Sequence, residues 1–120
     1  MKCKSIMIIE DDQEIRDMLK LAIEMEGHSV ITASNGKEGL EILESIELPC
    51  LILLDFMMPI MNGWEFAEAA NKDIVLATIP IVMVTAYSEK AGQIKGTKGI
   101  LKKPVDIDAL LKIVVQYCGN

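Results

Sequence analysis

Four consecutive apolar residues, Leu51 to Leu54, run straight into a lone carboxylate, Asp55, and then into Phe56-Met57-Met58-Pro59-Ile60-Met61-Asn62-Gly63. An apolar run of this length, unbroken by alternation and ended by turn residues, is the pattern of a strand buried on both faces. Such strands belong to parallel sheets sandwiched between helices. Sheets of that kind bind ligands at the carboxyl ends of their strands, which is where Asp55 sits. On this stretch alone a cap or turn role for Asp55 is as good a reading as a functional one.

The rest of the chain supplies the partners such a strand needs. Ile6 to Ile9 is a first apolar run, ended by Glu10, Asp11 and Asp12. From Gln13 the period becomes helical, with Ile15, Met18, Leu19, Ala22 and Ile23 on one stripe. Asp12 is placed as that helix's N-cap and Gly27 as its stop. Ser29 to Ala33 reads as strand two. Asn35-Gly36 opens a second helix, with Leu40, Leu43 and Ile46 inward and Pro49 ending it. After Gly63 comes a short helix with Phe66, Ala69 and Ala70 inward. Ile79 to Thr85 is a fourth buried strand, whose Pro80 lies at its start, where a missing N–H is tolerated. Ser88 to Lys95 allows at most two turns of helix, weakened by Gly92. Ile100 and Leu101 centre a fifth strand, closed by Lys102, Lys103 and Pro104. A last helix runs from Asp106 to about Cys118, with Ile107, Leu110, Leu111, Val114 and Val115 inward. Strand and helix alternate five times, so the expected fold is α/β: one doubly wound, five-stranded parallel sheet with five helices, the fourth shortened.

Size and charge narrow the function. The 120 residues make one domain, spanning 1–120. A net charge of −6 argues against nucleic-acid binding, which needs clustered Lys and Arg. No apolar run approaches the roughly 20 residues of a membrane span, and the N-terminus lacks a signal-peptide pattern. Cys3, Cys50 and Cys118 are odd in number and widely spaced. They read as reduced thiols of a cytoplasmic protein, forming neither a zinc site nor a disulfide frame.

In a parallel sheet all the strand carboxyl ends share one edge. Here they carry Glu10 and Asp11, Asp55, Thr85 and Lys103, while strand two ends in Ala33 and Ser34. Taken singly, these are a solvated helix start, a β-branched strand residue and an exposed lysine. Taken jointly, three carboxylates at one edge would raise one another's pKa unless a cation neutralises them. An all-oxygen set suits Mg²⁺.

With these residues in place the whole chain resembles the CheY-like receiver domain of two-component response regulators. The most specific part is Asp55-Phe56-Met57-Met58-Pro59-Ile60-Met61-Asn62-Gly63, similar to the family's D-x-x-M-P-x-M-D/N-G. The acidic pair after strand one, Thr85-Ala86 and Lys103-Pro104 complete the set. The resemblance implies a flavodoxin-like sheet of order 2-1-3-4-5, with Asp55 as phosphoacceptor. Mg²⁺ would be held by Asp11, Asp55 and the backbone carbonyl of Met57, with Glu10 reaching it directly or through water. Lys103 would pair with a phosphoryl oxygen, its Pro104 implying a cis peptide, and Thr85 would hydrogen-bond another. The implied partners are a sensor histidine kinase or histidine phosphotransfer protein and a downstream protein target. The implied chemistry is self-phosphorylation and self-dephosphorylation, without turnover of an external substrate.

This chain departs from the family pattern in three places. Thr85 to Lys103 is about four residues short, one turn of the fourth helix. The aromatic switch residue of strand five is Ile100. Met57 and Tyr87 stand two positions beyond Asp55 and Thr85, where their side chains would obstruct a hydrolytic water, so slow autodephosphorylation is expected.

The chain ends just after helix five, as a regulator with no output domain would. A piece of a longer regulator or hybrid kinase, and a docking module independent of phosphorylation, are the alternatives. A small-molecule phosphatase would want a second acid two residues after Asp55, and Met57 stands there. His28 reads as a solvated turn residue and Trp64 as a half-exposed helix residue. Lys90, Lys95, Lys98, Lys102 and Lys103 make the short fourth-helix region basic; a solvated surface is the ordinary reading, an acidic partner surface the alternative.

Overall fold

The computed structural model describes residues 5–119, without the side chains of Ser88 and Glu89; Cys3 therefore lies outside the described residues. The apolar runs become β1 (Ile6–Ile9), β2 (Val30–Ala33), β3 (Leu51–Asp55), β4 (Ile81–Thr85) and β5 (Thr97–Lys102). They pair in parallel throughout, in the order β2-β1-β3-β4-β5, as the family resemblance implied. The intervening helices are α1 (Gln13–Glu24), α2 (Gly36–Leu43), α3 (Gly63–Lys72), α4 (Ser88–Ala91) and α5 (Ile107–Cys118).

Because successive strand residues face opposite ways, the sheet feeds two cores. Met7, Ile9, Ile52, Leu54, Ile81 and Met83 pack with Leu43 of α2 and Phe66, Ala67 and Ala70 of α3. Ile6, Ile8, Leu51, Leu53, Val82 and Val84 pack with Leu19 and Ile23 of α1 and Leu110 and Val114 of α5. The three central strands are buried end to end, which is why their sequences show no alternation.

The capping residues act as their positions suggest. Asp12 accepts from the N–H groups of Glu14 and Ile15, Asn35 from Glu38, and Asp106 from Asp108. Asn62 and Glu65 form a reciprocal capping box at α3. α4 is a single turn, shorter than the two that the sequence allowed. Beyond it the chain turns back through Ala91–Ile94 and Ile94–Thr97 backbone bonds into β5.

Several expectations are corrected. Met18, Ile107 and Val115, expected inward, are exposed, since a helical stripe fixes the centre of a buried face and not its width. A 3₁₀ turn, Leu76–Thr78, precedes β4, which begins at Ile81 and not at Ile79. His28 is buried at 5% exposure, because the turn after α1 tucks it beside Val114 and Val115 of α5. Cys50 and Cys118 are not free thiols: they form a disulfide with Cα atoms 5.5 Å apart, across a sequence separation of 68. The fold brings the start of β3 beside the last turn of α5, a proximity that cysteine spacing cannot reveal.

Candidate functional site

The parallel sheet brings Glu10, Asp55, Thr85 and Lys103 to one edge, each at or just past a strand end. Three of them are almost entirely enclosed, with Glu10 1%, Asp55 5% and Thr85 1% exposed, whereas Asp11 faces solvent. Their burial follows from the strands that carry them. A residue that ends a doubly covered strand is held at the rim of the core, with its side chain still walled in.

Lys103 ties the edge together. Its Nζ lies 2.9 Å from Glu10 Oε1 and donates to Asp55 Oδ1 at 3.3 Å. The backbone anchors that reach, as Lys103 N–H donates to the Thr85 carbonyl at 3.0 Å. The Lys103–Pro104 peptide is cis. Burial works to lower the Lys103 pKa. Its hydrogen bond to Glu10 and the negative charges of Asp55 and Glu10 outweigh that, so the net shift is upward and the ammonium stays charged.

Asp55 moves the opposite way from an ordinary ion-paired carboxylate. Burial first, and then the neighbouring charge of Glu10, push its pKa up from the usual 3.8 to about 7, against a smaller opposing pull from Lys103. One lysine does not satisfy two buried carboxylates. Glu10, Asp11 and Asp55 can each offer an oxygen so that the three lie within 4.8 Å of one another, a hard, all-oxygen set with a negative excess. That donor set fits a hard divalent cation such as Mg²⁺. Met57, whose backbone carbonyl the family resemblance adds to that set, stands in the loop just past Asp55, its side chain exposed.

The loop after β3 is shaped by two special positions. Gly63 begins α3 against the backbone of its own loop: a Cβ there would lie 2.5 Å from the Asp55 carbonyl oxygen and 2.9 Å from Phe56 Cα. Ile60 is a β-branched residue held at φ 68°, with its side chain in solvent, a backbone conformation that stores strain in the loop that follows Asp55. Across the edge, the Tyr87 N–H donates to Thr85 Oγ1 at 3.0 Å, so the hydroxyl is held by its own loop.

Three features of the site were not anticipated from sequence. Arg16 Nη1 donates to the Glu10 carbonyl at 2.8 Å and braces the turn into α1; its position one turn into an acid-capped helix was the available signal. The rings of Phe56 and Tyr87 pack with centroids 6.4 Å apart, joining the loops after β3 and β4. Glu10 is the closer of Lys103's two carboxylate partners, so it positions the lysine as well as offering a cation ligand.

Known proteins similar to this chain fall in one family. The family model for the response regulator receiver domain matches residues 6–115. A 14.6 kDa protein of Leptolyngbya boryana is 38% identical over 117 residues, covering 94% of this chain and 88% of that one. Protein PilH of Pseudomonas aeruginosa is 32% identical, covering 91% of this chain and 93% of its own. Response regulator TrrA of Thermotoga maritima, solved in complex with Mg²⁺-BeF, superposes with a TM-score of 0.84. It is 29% identical, with 95% of this chain and 98% of that one covered.

Proposed function

Because the chain belongs to the response regulator receiver domain family of two-component signalling, we propose that Asp55 accepts a phosphoryl group in a Mg²⁺-dependent reaction. The donor is a phosphohistidine of a sensor histidine kinase or a histidine phosphotransfer protein. The observation that carries the proposal is the reach of Lys103 to both Glu10 and Asp55, which puts one cation beside a buried carboxyl group of near-neutral pKa.

Phosphoryl transfer needs positioning and charge neutralisation more than covalent assistance. In the transfer, an ionised Asp55 oxygen forms the new bond to phosphorus as the bond from phosphorus to the donor imidazole breaks. The electron pair returns to that imidazole nitrogen. Glu10 and Asp11, with Asp55 and the Met57 carbonyl, would hold Mg²⁺, which would supply charge neutralisation to the transferring group and favour the ionised form of Asp55. Lys103 then leaves Glu10 for a phosphoryl oxygen. Thr85 turns its hydroxyl toward a second oxygen and gives up the Tyr87 N–H, drawing the loop after β4 inward, a local charge event that biases a two-state element. Phe56 packs on Tyr87 and carries that movement to the neighbouring loop. Met57 and Tyr87, both half-exposed beside the site, impede water, so the acyl phosphate hydrolyses slowly.

The domain turns over no external substrate; its output is a phosphorylation-dependent contact with a downstream protein. Among the described residues no helix is long and apolar enough to cross a membrane. We place the protein in the cytoplasm with its phosphodonors. The Cys50–Cys118 pair is unusual there.

The test is intact-mass analysis after incubation with Mg²⁺ and acetyl phosphate. The wild type should gain one phosphoryl mass, and Asp55→Ala should gain none. A wild type that stays unmodified would favour a docking module that works without phosphorylation, a reading to which the one-turn α4 and Ile100 lend support.

A further inference from the structure

The truncation of α4 leaves a feature that the phosphoryl chemistry does not use. Between α3 and the turn after α4 lies a groove of ≈340 Å³, with Trp64, Glu68 and Lys72 on one wall and Ile94 and Lys95 on the other. The second wall is fixed in place. Asn71 Nδ2 donates to the Lys95 carbonyl at 2.7 Å, and the next residue, Gly96, has φ +89° with no room for a Cβ against the Asn71 side chain. Trp64, in the first turn of α3, is 46% exposed at the groove. Ile94 is buried beneath it as part of the core.

Charge separates the segment that forms the second wall from the rest of the chain, and of its lysines Lys95 lines the groove, facing Lys72 of α3. The chain as a whole is acidic, at −6, yet Ser88 to Lys103 contains five lysines against the single acid Glu89. Lys103 serves the site, but Lys90, Lys95, Lys98 and Lys102 are all exposed. Outside the groove lining, strand register sets the face of two further residues. Ile100 pairs with Met83 and Lys102 with Thr85, so both stand on the α3 side of the edge strand β5, the face that one turn of α4 leaves uncovered.

We propose that this groove docks an acidic, amphipathic segment of a protein partner, with one apolar side chain seated against Trp64 and acidic side chains meeting Lys72 and Lys95. Complementary charge selects the partner, and the aromatic wall anchors it. Lys72 and Lys95 suffice for a few acidic side chains of a peptide, whereas a nucleic-acid backbone demands a longer run of cations than the groove lining offers. The lysines are present without phosphorylation, so the proposal stands apart from the acceptor chemistry and is tested on the unmodified protein.

Trp64 is the only tryptophan, so its emission reports the groove directly. The probe is a Glu-rich amphipathic peptide of roughly 20 residues, long enough to form a helix, with Leu at helical spacing. Its controls are the same peptide with Lys in place of Glu, and a single-stranded oligothymidine. Titration with the acidic peptide should shift Trp64 emission to the blue and saturate. The pair Lys72→Glu with Lys95→Glu should weaken binding on the order of tenfold while leaving circular dichroism unchanged. Equal or tighter binding of the Lys peptide or the oligothymidine would overturn the proposal. So would unchanged affinity in the charge-reversed protein, or no emission shift with acidic peptide up to its solubility limit.

Discussion

The two edges of the sheet are built on opposite terms. At the amino edge the backbone is paired into its surroundings: Ile6 N–H bonds to the Ser29 carbonyl, Cys50 N–H to Ser5 and Ile52 N–H to Pro80, and the Cys50–Cys118 disulfide joins β3 to α5. At the carboxyl edge Glu10 and Asp55 are buried beside one lysine, Asp55 is held far from its usual pKa, and Ile60 sits in a left-handed conformation. One edge holds the fold together. The other accepts unfavourable electrostatics and strain in return for a carboxyl group that responds to charge. Substitutions should therefore destabilise at the amino edge and, where they remove charge or strain, stabilise at the carboxyl edge.

The largest effect should come from opening the disulfide. Constraining a loop of 68 residues in the unfolded chain is worth up to about 4 kcal/mol on the chain-entropy account. Urea unfolding of oxidised wild type against Cys118→Ser should show a loss approaching that size, with addition of reductant bringing the wild type down to the variant. Equal midpoints would remove the amino edge's special status.

Gly63→Ala comes next and marks the limit of the contrast, because it injures the carboxyl edge by sterics. Its Cβ would meet backbone atoms of Asp55 and Phe56, which have little freedom to yield. A cost of about 3 kcal/mol is expected, in the range of overpacked sites. Phosphorylation by acetyl phosphate should slow at least roughly tenfold as Asp55 is displaced.

Asp55→Asn should do the reverse and stabilise. A carboxyl group whose folded pKa lies above its unfolded value binds its proton more tightly in the native state. Its contribution is most favourable below the usual 3.8 and is lost as the pH rises to about 7. In chelator at pH 8 the substitution should add about 2 kcal/mol, after allowing for solvent screening at the open rim. Wild-type stability should fall between pH 4 and 7, and the variant should lack that component. Mg²⁺ should restore the wild type and do little for Asp55→Asn. A wild type that gains stability across that window would reverse the assigned sign.

The smallest effect is at Ile60, where Gly relieves the left-handed backbone. Ile60→Gly should raise stability by about 1 kcal/mol in thermal unfolding. A loss would mean that the exposed isoleucine makes a contact worth more than its strain.

The same contrast explains which parts of the molecule can be read from its sequence. The carboxyl edge is written locally: each functional residue follows an apolar run, and a parallel sheet must bring the ends of such runs together. Glu10, Asp11, Asp55, Thr85 and Lys103 could therefore be named in advance. The amino edge is written tertiarily. That Cys118 lands beside Cys50, or that α5 covers His28, depends on where a helix ends after crossing the sheet, and no spacing encodes it. Periodicity likewise placed Leu110 and Val114 in the core but could not say that Val115, one step round the helix, would be in solvent. The bracing by Arg16 escaped for another reason: an arginine one turn into an acid-capped helix has many ordinary roles, and its target, the Glu10 carbonyl, depends on how the turn between β1 and α1 folds back.

Of the carboxyl groups gathered at the carboxyl edge, Asp55 is proposed as the one that becomes phosphorylated. Borohydride reduction of the acyl phosphate formed with acetyl phosphate, followed by peptide sequencing, locates that group chemically. Modification is expected at Asp55 alone, present with Mg²⁺ and absent in chelator. Label on Glu10 or Asp11, or label on Asp55 that forms equally well in chelator, would contradict it.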